Sequence, residues 1–120
     1  MKTSPKYAAV KKEVKQAYKE STPNFNFLAS ATVTIDEAVN IMVEALEGNN
    51  ENVSGYNEFM PSHFRRLPEG TKITLAREGS VCAYVQPPKG IAMHETKLRR
   101  SMRIDEWDDQ ENGTVRLWWD

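Results

Sequence analysis

The chain has 120 residues, 39% hydrophobic and 28% charged, which suits one compact domain patterned too regularly for disorder. A single cysteine excludes an internal disulfide, and no apolar run approaches the roughly 20 residues that cross a bilayer. The net charge of −1 hides four blocks: +4 over 1–20, −6 over 21–60, +6 over 61–103 and −5 over 104–120.

These features predict a cytoplasmic protein. The opening M-K-T-S-P-K-Y-A-A-V-K-K lacks the apolar core of a signal peptide. The sequons at Asn52 and Asn112 are then coincidental. The charge blocks can neutralise one another across the fold, which is the simpler outcome. They can also form a cationic surface for an anionic ligand, or complementary patches in a homo-oligomer.

The first expected element is a helix over 4–20, with Ser4 as cap and Pro5 at its first position. Tyr7, Val10, Val14, Ala17 and Tyr18 share one side, and lysines cover most of the remainder. A basic amphipathic helix of this kind can lie on nucleic acid or an anionic membrane, but more often it packs on a sheet. Ser21-Thr22-Pro23-Asn24 ends it. Phe25, Phe27, Ala29, Ala31 and Val33 then alternate with polar residues, the period of a half-buried strand.

A second helix over 34–47 has both ends marked. Thr34 and Glu37 form a capping box, and Gly48 is placed to take the left-handed closing conformation. Ile35, Ala38, Val39, Met42, Val43 and Leu46 form its apolar stripe. A long polar loop from Asn49 to Pro61 follows, with Tyr56, Phe59 and Met60 as packing anchors and a helical turn over 62–67.

Two hairpins complete the chain. Lys72–Arg77 and Ser80–Gln86 flank a two-residue Glu78-Gly79 turn, which sets Ile73 opposite Tyr84 and Leu75 opposite Cys82. Both faces of this hairpin are then apolar, so each needs cover from a helix or a second subunit. Residues 91–98 give no clear element. The last hairpin runs from Arg99 to Asp108, turns at Asn112-Gly113 and returns over Thr114–Trp119, which sets Trp107 opposite Trp118.

The chemical signals are weak. His94-Glu95-Thr96-Lys97-Leu98 begins like a zinc-protease helix but lacks the second histidine. Cys82 and His94 suit nucleophile and base, yet Cys82 falls in an apolar strand. No glycine-rich phosphate loop, cofactor motif or metal-ligand spacing is present, and no residue is assigned as catalytic. Two surface features remain: an arginine set (Arg65, Arg66, Arg77, Arg99, Arg100, Arg103, with Lys72, Lys89 and Lys97) and the Trp107–Trp118 pair.

The expected fold class is therefore α+β: one small domain, an antiparallel sheet of about 4–5 strands and two main helices, 4–20 and 34–47. The expected function is non-enzymatic binding of an anionic ligand, a nucleotide or nucleic acid. Its surface comprises Arg99, Arg100, Arg103, Trp107, Arg116, Trp118, Arg65 and Arg66. The alternative is a small inhibitor or adaptor that occludes a protein partner, of the kind phages and mobile elements encode. No membrane contact is expected; a homo-oligomer is.

Overall fold

The computed structural model describes residues 4–22, 24–54 and 58–120. Pro23 and Tyr56, to which the sequence assigns a helix end and a packing anchor, lie outside these residues. The described elements are helices α1 (Tyr7–Lys19), α2 (Ile35–Ala45) and α3 (Glu95–Met102), and strands β1 (Asn26–Leu28), β2 (Lys72–Glu78), β3 (Ser80–Gln86), β4 (Glu106–Asp109) and β5 (Val115–Trp119). Short 3₁₀ helices span Pro61–Arg66 and Glu111–Gly113. The fold is α+β, with a five-stranded antiparallel sheet in the order β1-β2-β3-β5-β4.

The two helices expected from the sequence form, but their ends differ. Ser4 does not cap α1: its backbone N–H and its hydroxyl both donate to the Glu37 carboxylate, at 2.6 and 2.7 Å. The capping box of α2 is present, with Glu37 N–H donating to Thr34 and Thr34 N–H donating to Glu37. One buried carboxylate thus joins the starts of α1 and α2. Burial pushes this carboxyl up, but its hydrogen bonds from Thr34 and Ser4 outweigh that and hold it below the ordinary range. At the other end of α2, Glu47 rather than Gly48 takes the left-handed conformation, with φ 55°. Gly48 N–H closes the turn on Val43 C=O, and a Cβ at Gly48 would lie 2.4 Å from that of Val53. The glycine serves close approach; the twist falls on the glutamate.

The strand expected over 25–33 is interrupted. Ala29 N–H bonds Leu75 C=O and Val33 rejoins opposite Ile73, so four steps of one chain match two of the other. Ser30 bulges out and donates its N–H and hydroxyl to Glu13 on α1.

Both hairpins are shifted by one residue from the expected register. Gly79 alone, with φ +75°, forms the apex of the first, so Glu78 pairs with Ser80, Ile73 with Val85 and Leu75 with Ala83. Three residues, Glu111–Gly113, fill the last hairpin between Gln110 and Thr114, so Trp107 pairs with Leu117 and Glu106 with Trp118. A shift of one residue exchanges the faces of a strand. The inner face becomes Ile73, Leu75, Val81, Ala83, Val85, Val115, Leu117 and Trp119, all buried. The outer face carries Thr74, Ala76, Glu78, Ser80, Cys82, Tyr84, Arg116 and Trp118.

The helices pack on the inner face, so of the two expected ways to cover both faces, one helix on each is not formed among the described residues. Tyr18 on α1 donates to Ala76 C=O, and inward-facing Arg77 donates to Ala17 C=O and Glu20 C=O at the end of α1. Trp119 meets Phe59 and Phe64 edge to face at 4.8 and 6.0 Å, and its indole N–H donates to Met102 C=O on α3. Residues 91–98, unreadable from sequence, hold the first half of α3, which buries Leu98 and Met102. Among the described residues, no helix is long and apolar enough to cross a membrane.

Candidate anion-binding face

The residues expected to form one arginine and tryptophan surface divide into three environments. The first is the outer sheet face. Here Arg116 donates to Glu78 through Nε at 2.9 Å, and contacts Glu106 at 3.0 Å and Asp108 at 2.7 Å. Tyr84 OH and the Trp118 indole N–H also donate to Glu78, to its carboxylate and its carbonyl respectively. Burial pushes the Glu78 carboxyl up, but Tyr84 and Arg116 outweigh it and hold it below the ordinary range. Arg116 stacks over the Trp118 ring at 6.0 Å, and its side chain is 16% exposed. Three carboxylates around one guanidinium leave this face acidic. It binds no phosphate through Arg116 without breaking pairs already made.

The second environment is the rim of α2. Arg65 donates to Asp36 at 2.5 Å and Glu51 at 2.8 Å, and these bonds raise its already high pKa. Lys11 and Lys15 likewise meet Glu44 at 2.7 and 3.3 Å. Internal pairing of the blocks, the simpler reading of the sequence, accounts for these cations. Arg77 leaves the surface set altogether, because it is buried beneath α1.

The third environment is α3 with the adjoining 3₁₀ helix. Instead of leading into the hairpin as a strand, Arg99, Arg100 and Arg103 belong to α3 and its end. Arg99 pairs with Glu95 at 3.3 Å and donates to Asp105 C=O. Arg100 and Arg66 are exposed, and neither has a carboxylate partner among the described residues. Arg103 reaches Glu58 at 3.7 Å while its side chain remains 63% exposed. Lys97, Arg100 and Arg103 recur every three residues, a spacing that lines one side of a helix. His94, Glu95, Thr96, Lys97, Arg100 and Ser101 also line one open cleft, and Glu95, its one carboxylate, is paired with Arg99.

His63 ties the 3₁₀ helix to these cations. It is buried, and its Nδ1 accepts from Met60 N–H at 3.2 Å. Burial lowers its pKa, and the nearby charges of Arg66 and Arg103 lower it further against the opposing pull of Glu58. The 3₁₀ helix that carries Arg66 packs against α3. Arg103 also holds a left-handed backbone, φ 59°, at the helix end where glycine is the ordinary residue.

The tryptophans do not join this face as a pair. Trp118 lies on the outer face, while Trp107 lies beside Leu117 on the inner side, half-buried against the core. Cys82 is on the outer face and buried, with its thiol pushed up to about 12 by burial and then by Glu78. His94 belongs to the helical layer, so the nucleophile and base pairing is not formed. Among the described residues, no group of three metal-ligating side chains converges. The sequence reading weighed His94 and Lys97 but left them, with Thr96 and Ser101, out of the expected binding surface, because residues 91–98 gave no element and Ser101 fell in an expected strand. The i, i+3, i+6 basic spacing and the Leu98/Met102 pair were the usable signal. Comparisons with protein-family models, curated proteins and solved structures find no match.

Proposed function

We propose that the protein is a non-enzymatic binder of nucleic acid, gripping the phosphate backbone with Lys97, Arg100, Arg103 and Arg66. The carrying observation is the contrast in pairing: Arg65 and Arg116 are held by carboxylates and Arg77 by backbone carbonyls, whereas Arg66 and Arg100 have no acidic partner among the described residues. Arginine's planar fork suits phosphate oxygens, and threonine and serine hydroxyls are common phosphate donors beside it. The cleft is open and bears no tryptophan, so backbone charge rather than a stacked base supplies the affinity. A mononucleotide is a poorer fit than a polymer, because small ligands favour enclosed apolar pockets.

Fluorescence anisotropy with labelled single-stranded DNA tests this reading. Wild-type binding weakens steeply between about 50 and about 200 mM salt. Arg100→Glu with Arg103→Glu reduces affinity by more than about tenfold, with stability unchanged within about 0.5 kcal/mol. Unchanged affinity, or early unfolding of the double variant, makes these arginines structural and overturns the reading. A second reading rests on the outer sheet face, which no described helix covers and which carries Trp118, Tyr84 and exposed Leu28. That face suits a protein partner, and a wild type that shows no salt-sensitive DNA binding would favour it. Self-association also belongs to this account.

A further inference from the structure

The two edges of the sheet are built differently. β4 carries Glu106, Asp108 and Asp109 in four residues, and charges on an edge strand oppose pairing with another chain. β1 carries Asn26, Phe27 and Leu28, and the flanking Phe25, Ala29 and Ser30 add no charge and no proline. Leu28 is 62% exposed. This edge therefore lacks charge and proline, two of the features that keep sheets apart, and is limited only by its shortness and the bulge at Ser30.

The backbone of β1 is set for a partner. Phe25 C=O accepts from Gly79 N–H, and Ala29 N–H donates to Leu75 C=O, so these groups face the β2 side. Alternation along an antiparallel ladder turns the N–H and C=O of Asn26 and Leu28 the other way. None of these groups has a partner outside the sheet among the described residues. The window is bounded at both ends. Asn24 is left-handed, with φ 65°, and Ser30 is drawn away by Glu13. Residues 25–29 remain, and Phe27 lies at their centre.

We propose that β1 is a self-association edge, where a second copy of the chain pairs antiparallel about a two-fold axis at Phe27. This deepens the self-association reading and is independent of DNA binding. In that register Asn26 faces Leu28 of the second copy, and the reciprocal pair repeats the contact, each exchanging both backbone bonds. No like charges are opposed. The window is symmetric about its own centre, so the same strand is a complete complement to itself. The short window also makes the dimer concentration-dependent.

Sedimentation equilibrium over a series from micromolar to near-millimolar concentration tests the proposal, with circular dichroism confirming the fold of each variant. Wild type shifts from 13.7 kDa towards twice that mass. Asn26→Lys with Leu28→Lys sets lysine against lysine and returns a monomer. Asn26→Lys with Leu28→Glu sets opposite charges in the same register and restores the dimer. Both sites are exposed, so both variants fold; amide exchange at Asn26 and Leu28 in wild type, slower at higher concentration, gives the same answer without mutation. A wild-type monomer throughout overturns self-association itself. A dimer that persists in the double-lysine variant, or is not restored by the lysine and glutamate variant, overturns this edge and register.

Discussion

Arg116 and Arg100 are both arginines of the C-terminal third, yet their surroundings are opposite. Arg116 projects from a strand flanked on both sides by others, so the register brings Glu78 from β2 and Glu106 and Asp108 from β4 onto one guanidinium. Arg100 projects from a helix whose acidic residue, Glu95, is paired with Arg99. Neighbours across the sheet, rather than local composition, consume the first cation. The solvent-facing side of the helix leaves the second available.

The largest test of that contrast is Arg116→Ala. It leaves Glu78 partly buried without its charged donor, and a loss of about 2–3 kcal/mol is expected in denaturant unfolding, with DNA affinity of the folded protein unchanged. Acid titration divides the two regions further. Glu78 has a depressed folded pKa, so its contribution is fully present above the unfolded value and is lost as pH falls below about 4.5. His63 is also depressed, so its contribution is present above about 6.5 and is lost as pH falls below that. Stability curves should show both steps. Glu78→Gln should reduce the acidic step, which Glu37 shares, and His63→Asn, which keeps an acceptor for Met60 N–H, should flatten the near-neutral one.

Arg103→Gly should produce a smaller effect of opposite sign. Glycine relieves the left-handed backbone and raises stability by about 1 kcal/mol, while DNA affinity falls. A variant that loses both would show that the side chain supports the fold. The smallest effect on stability is expected for Arg66→Ala and Arg100→Ala. Each should lie within about 0.5 kcal/mol of wild type and still weaken binding.

The two longer helices and the two hairpins were legible because their signals are local; the order of the strands in the sheet was not. The Thr34/Glu37 box marks the start of α2, and the apolar spacing of α1 matches its buried Val10, Val14, Ala17 and Tyr18. Register was not legible, because it depends on how many residues a turn consumes. Glu78-Gly79 spends one residue and Asn112-Gly113 is joined by Glu111 to spend three, and each change moves whole rows of side chains to the other face. That moved Trp118 away from Trp107 and Cys82 away from the core. The partners of Arg65 and Arg116 come from distant segments, so pairing could be expected from the charge blocks but not assigned to residues. α3 was hidden by its eight-residue length, with Leu98 and Met102 as its buried positions.

Arg66 and Arg100 carry no carboxylate partner among the described residues and Arg103 only a distant one, whereas Arg116 carries three. Arginine Nε–Hε resonances followed by NMR during titration with single-stranded DNA report each guanidinium separately. The signals of Arg66, Arg100 and Arg103 should shift and those of Arg116 and the Trp118 indole should stay. Movement of Arg116 and Trp118 with Arg100 unmoved would contradict the proposed grip on phosphate.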